Sequence, residues 1–312
     1  MTISDQYRDI FNQEIIQQGK TVIFSFDPLK SGYTYQPFSH ACSQNSVEDL
    51  SDLMRKNLFF YAFGEEEIVE HYQNGTFSSM EQAARYAYKQ RLPERDPKQD
   101  GLPSEVLLDL LVQMYSPDAH KLAVRTIFRQ NDNNEIKGYD LTYFVKDKSG
   151  ISLWLGQAKL GTKSYCKTGI NDDLNDKFTP VYLTKQLFFV CDKPVQLSDD
   201  AKEILKTIER INILEMDSND ESRAETLLKY FSENHIHIKI PCLLAYDNQA
   251  VYRDVASLYT QLMDEVESIK KYYCSHSYAF SGFSPEIVFY VFPIQSIERL
   301  RNKETGFYAG LH

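Results

Sequence analysis

The sequence predicts a mixed α/β fold: a mixed central sheet flanked by helices, with a mainly helical N-terminal region. Three observations predict it. From residue 104 onward the apolar spacing runs helix, strand, strand, strand, helix, strand. Two late apolar segments, residues 237–246 and the run Ile287-Val288-Phe289-Tyr290-Val291-Phe292, have the length and β-branched or aromatic content of buried strands. Before residue 92 the apolar positions recur at helical intervals.

Composition narrows the class. A chain of 312 residues makes one large domain or two smaller ones. Its 42% apolar and 25% charged residues are ordinary for a globular protein. No window of about 18 apolar residues occurs, so no membrane span is expected. The start, Met1-Thr2-Ile3-Ser4, has neither a basic region nor an apolar one, so no secretory leader is expected. Cys42, Cys166, Cys191, Cys242 and Cys274 are widely spaced with no CxxC pair, which fits reduced thiols and a cytoplasmic location.

Taken in order, residues 4–19 read as a helix with an apolar stripe of Tyr7, Ile10, Phe11 and Ile15, stopped by Gly19. Residues 21–26 read as a strand. The stretch to residue 44 is rich in Tyr, Ser and Gly and reads as a loop. Ser46-Val47-Glu48-Asp49 resembles a capping box for a helix to about residue 61. A short helix over 65–72 is closed by Asn74-Gly75, and Ser79 caps another through residue 90. Residues 92–103 hold Pro93, Pro97, Gly101 and Pro103 among charges, which marks a boundary between residues 1–92 and a domain over 103–312. There follow a Leu-rich helix (104–115), strands over 122–128, 139–145 and 151–159, and a helix over 180–190. Two amphipathic helices, the first capped by Ser198, form an insertion at about 197–233. A strand (237–246), a long helix (251–272), the aromatic strand and a helix over 294–301 complete the chain.

The segment with chemical content is the hairpin around Lys146-Asp147-Lys148-Ser149-Gly150. Pairing its strands brings Asp140 beside Gln157 and Lys159, which are two residues apart and share a strand face. A carboxylate and an amide oxygen are ligands for a hard cation such as Mg²⁺ or Mn²⁺. A neighbouring lysine can orient water and offset phosphate charge. The plainer reading is a charged surface hairpin. The net charge of −10 opposes unassisted nucleic-acid binding. Between Lys121 and Lys167, however, nine basic residues face four acids, a local excess of +5 around the hairpin.

Other signals fail. Gly156-Gln157-Ala158-Lys159-Leu160-Gly161-Thr162-Lys163-Ser164 has Thr162 where a Walker loop needs Lys, and a polar loop is expected to follow. His235 and His237, with Cys274 and His276, lack zinc spacing. No GxSxG is present.

Asp140, sixteen intervening residues, then Gln157-Ala158-Lys159 resembles the PD-(D/E)xK nuclease core. Gln157 stands where most of that superfamily has Asp or Glu, and Mrr-like restriction endonucleases carry the same QxK variant. The Leu-rich helix 105–111, the Gly138-Tyr139-Asp140 entry, the Trp154-to-Leu160 strand and the helical C-terminal half also resemble the HamA/AbpA family of the Hachiman antiphage system. That resemblance implies a metal-dependent DNA nuclease restrained by a helicase partner, HamB. It implies metal roles for Asp140 and Gln157, a water and phosphate role for Lys159, and an extra acid at Glu105. The superfamily resemblance makes Lys185 and Gln186, on the helix over 180–190, candidates to face the phosphate, with a plain surface position as the alternative. The alternative is a non-catalytic regulatory or adaptor subunit on a degenerate nuclease scaffold, with Gln157 marking lost metal binding.

Overall fold

The chain begins with continuous helix: α1 (Ile3–Phe11), a π-helical turn (Asn12–Ile16) and α2 (Gln17–Val22). The structure, a computed structural model, describes residues 1–92, 96, 100–124, 138–148, 150–191 and 197–312. Gly19 does not stop the helix as expected. It lies within α2, where a Cβ would come 2.5 Å from Met114 Cε, so its role is close approach.

The expected loop before residue 44 is also corrected. After β1 (Ile23–Ser25) come β2 (Leu29–Ser31) and β3 (Tyr33–His40). Pro37 lies within β3 although it cannot donate to a ladder. Its carbonyl accepts from Phe26 N–H (3.1 Å), and the strand pairs around it.

Helices α3 (Ser46–Ala62), α4 (Glu65–Gln73), α5 (Met80–Arg91) and α6 (Leu102–Tyr115) follow. Ser79 caps α5 as expected, accepting from Gln82 N–H at 3.3 Å. The capping box at Ser46 does not form: Asn45 is the cap residue and makes no side-chain cap bond. Next come β4 (His120–Lys121), β5 (Leu141–Asp147) and β6 (Gly150–Gly161). Of the strand expected over 122–128, residues 125–128 lie outside the described residues. Leu122 and Ala123 donate N–H bonds to Thr142 O at 3.0 and 3.3 Å.

The expected polar loop after residue 161 is a helix, α7 (Lys163–Asp176), capped by Thr162 Oγ1 accepting from Tyr165 N–H at 3.2 Å. Gly169, Thr168, Asn171 and three Asp residues give it poor intrinsic propensity, so packing rather than local preference holds it. Then come α8 (Pro180–Cys191), α9 (Asp199–Leu214), α10 (Asp220–Glu233) and β7 (Ile236–Asp247). Two 3₁₀ turns, Gln249–Tyr252 and Val255–Ser257, precede α11 (Leu258–Cys274), so the helix expected from residue 251 starts later. Asp254 takes Ala256 N–H (3.0 Å) and forms the second of those turns. The chain closes with β8 (Glu286–Ile294) and α12 (Ile297–Leu300).

The strands make one mixed sheet in the order β1-β3-β8-β7-β6-β5-β4, with β2 also on β3. Neighbours from β3 through β8 and β7 to β6 are parallel; the pairs toward both edges are antiparallel. Along β8, Val288, Tyr290 and Phe292 enter one core while Ile287, Phe289 and Val291 enter the other. Helices cover both faces, which is why this strand reads as an unbroken apolar run.

Two buried polar groups fix the geometry around these cores. Asp109 of α6 accepts from Tyr143 Oη (2.6 Å), Asn57 Nδ2 (2.8 Å) and Gln113 Nε2 (2.7 Å), which pins α6 to β5 and α3. His40 ties the end of β3 to β8: Nε2 accepts Gln295 N–H (3.0 Å), and Nδ1 lies 3.1 Å from Ser46 Oγ. Burial pushes its imidazole down from the usual 6.5 to about 4, despite the opposing hydrogen bond to Ala41 O. The unfolded chain therefore takes up this proton first. The His40 contribution is complete above pH 6.5 and is lost as pH falls toward 4, a loss of about 3 kcal/mol from linkage. Urea unfolding from pH 7 to 4 is expected to show that decline, and His40→Asn to flatten it.

Candidate functional site

The site forms where β5 leaves β6. Asp140 N–H donates to Gly156 O (2.9 Å), next to the first strand pair, Leu141 opposite Gly156. Beyond it β6 continues for several residues without β5. Asp140 Oδ2 accepts the Ala158 N–H at 2.8 Å, so the carboxylate takes the place of the next ladder carbonyl. This bond holds Asp140 at the mouth of a cleft of about 300 Å³. Asp100, Glu105, Lys159, Tyr165 and Arg301 share that cleft. At roughly 30 Å³ per water, it has room for a phosphate and a hydrated ion.

Glu105 reaches the cleft from the first turn of α6, with Oε2 accepting from Tyr61 Oη at 2.5 Å. Lys159 comes from β6, and its Nζ lies 2.5 Å from Asp173 Oδ2 on α7. Burial works against the Lys159 charge, but the Asp140 charge and the Asp173 hydrogen bond outweigh it. The ammonium is held above its ordinary value. Lys159 therefore stays protonated at neutral pH.

Gln157 is placed differently. It is 0% exposed, and its Oε1 accepts from Lys177 Nζ at 2.7 Å. Among the described residues, its Nε2 has no hydrogen-bond partner. Lys177 Nζ also contacts Asp173 Oδ1 at 3.0 Å. Gln157 and Lys159 do share a strand face, and α7 covers it. Of the four residues singled out from sequence, the fold brings Asp140, Glu105 and Lys159 into one cleft and holds Gln157 beneath α7.

A hard cation prefers oxygen ligands, and the Asp140 and Glu105 carboxylates suit one in kind. The Gln157 oxygen does not fit, because an ammonium already holds it. Among the described residues, no group of three or more His, Cys, Asp or Glu side chains is placed to bind a metal.

The HamA family profile matches residues 9–311 of the chain. The chain belongs to the HamA family. No curated protein matches it. Membership in the HamA family supports a role in antiphage defence. Among the described residues, no helix is long and apolar enough to cross a membrane.

In this HamA-family chain several described lysines of the basic window already have partners. Lys121 is buried against the carbonyls of Phe60 and Phe63. Lys146 pairs with Asp200 (2.8 Å) and Glu203 (3.2 Å), and Lys163 with Glu265 (2.9 Å). Arg125, Arg129 and Lys137 lie outside the described residues. Lys185, a candidate to face phosphate, pairs with Asp220 at 2.6 Å, and Gln186 lies against Gly138 in a second, smaller cavity that Asp140 also lines. His235 and His237 line a third cavity, which neither Cys274 nor His276 lines.

Asp100, Tyr165, Asp173, Lys177 and Arg301 were not singled out from sequence. One signal was available: Tyr165, Gly169, Asp173 and Lys177 recur every fourth residue, the spacing of one helix stripe.

Proposed function

We propose that this chain is a metal-dependent DNA nuclease, the effector of an antiphage complex, kept in check by a helicase partner. The supporting observation is the meeting of Asp140, Glu105 and Lys159 in one cleft where β5 parts from β6. Asp140 and Glu105 would hold Mg²⁺ or Mn²⁺. When bound, such a cation lowers the pKa of its water and offsets charge on the phosphate. Lys159, already protonated, donates to the scissile phosphate or to the attacking water and cannot serve as general base at neutral pH. Asp140 orients that ammonium through its charge while its Oδ2 stays on the Ala158 N–H.

The net charge of −10 and the paired lysines leave the chain little attraction of its own for DNA. A helicase partner would supply that attraction and deliver the strand. One observation favours the second reading, an adaptor without catalysis: the Gln157 oxygen is held by Lys177 rather than open to the cleft. Reconstitution with a HamB-type helicase distinguishes the two. Mg²⁺-dependent DNA cleavage that depends on helicase engagement is expected. No cleavage under any combination of helicase, DNA and metal would leave the adaptor.

A further inference from the structure

We propose that α7 is the positioning element of the site, with Asp173 holding the Lys159 ammonium in the cleft and Gly169 giving the Lys159 stem its track. The inference rests on the nuclease reading for its consequence, but not for its geometry. A line of side chains runs under α7: the Gln157 amide oxygen to Lys177 Nζ (2.7 Å), Lys177 Nζ to Asp173 Oδ1 (3.0 Å), and Asp173 Oδ2 to Lys159 Nζ (2.5 Å). One carboxylate thus bridges two ammonium groups that would otherwise repel. Its own side chain is only 13% exposed, so the bridge is poorly screened by water.

The second observation is independent of charge. A Cβ at Gly169 would lie 2.9 Å from Lys159 Cε, 3.2 Å from Cδ and 3.4 Å from Cγ. The lysine stem therefore runs directly along the helix backbone, in space that any other residue would occupy. The far end of α7 is anchored as well: Tyr139 Oη donates to Lys177 O at 2.8 Å. Asp173, four residues from both Gly169 and Lys177, sits on the same stripe of the helix. A flexible four-carbon side chain samples many rotamers in the open. Here packing along its stem and a carboxylate at its tip select one of them, which is what a group acting on a phosphate needs.

Two variants act on the two contacts separately. Asp173→Asn removes the charge that holds Nζ. Gly169→Ala leaves Asp173 in place, improves helix propensity, and forces the lysine stem aside. Both are read first by acetic anhydride labelling of the full-length protein, with the rate at Lys159 followed by peptide mass spectrometry against exposed Lys20. The Lys159 rate is expected to rise several-fold in each variant, while Lys20 is unchanged. In the reconstituted nuclease, kcat is expected to fall by up to about a hundredfold with KM little changed, as for a misplaced catalytic group. Asp173→Glu should recover part of the loss, which a role in folding alone would not produce. Lys159 labelling that matches the parent in both variants overturns the proposal. An inactive parent would refute the nuclease reading instead, and labelling would still decide the role of α7.

Discussion

Lys159→Ala is expected to lower DNA cleavage by about 10²–10³-fold, the usual loss when a placed charge facing the reaction is removed. The cleft contains two carboxylates suited to a cation and, from β6, one ammonium held protonated by its surroundings. Removing that ammonium leaves the charge on the phosphate to the metal and to Arg301, which also lines the cleft. The fold should tolerate the change. Asp173 keeps its bond to Lys177, so no buried carboxylate is stranded. The Lys159 side chain is 18% exposed, so the vacated space can fill with water. Single-turnover cleavage with the helicase present, together with a thermal melt, checks both halves. Cleavage near the parent rate in a folded variant would remove Lys159 from the mechanism.

Calorimetric titration with Mn²⁺ is expected to separate Asp140 from Gln157. The parent should bind. Asp140→Asn should lose more affinity than the roughly 10–100-fold that follows loss of an outer-shell partner. The asparagine oxygen can still accept the Ala158 N–H, so the end of the ladder is preserved and only the charge is lost. Gln157→Ala should bind nearly as the parent does, because the amide oxygen serves Lys177 rather than the cleft. Equal loss in both variants would mean that Lys177 moves away and Gln157 becomes a ligand. A parent that takes up no Mn²⁺ would favour the adaptor.

Much of the site can be read from the sequence because it depends on one local event. The hairpin over β5 and β6 has a short polar turn and alternating flanks, and those alone set Asp140 beside Gln157. Glu105 was also open to inference, since α6 carries an acid in its first turn. Which face of β6 meets which helix was not legible. That depended on α7, a segment of weak helical propensity whose order comes from packing on β6 and β7. A polar stretch with Gly169 in its middle reads as loop until its neighbours are known. The same holds for β3, which carries Pro37 and pairs with a strand roughly 250 residues later.

By itself the sequence determined most of the helices and strands other than β2, β3 and α7, the hairpin register, and the set of residue types that can act on a phosphodiester. Only the tertiary structure decided that Lys159 opens to the cleft while Gln157, two residues away on the same face, lies under a lysine. The reason is physical. Periodicity records which side of an element is apolar, a property of neighbours along the chain. What lies opposite a given side chain depends on contacts between distant segments, and here a glycine and an aspartate on α7 make that selection.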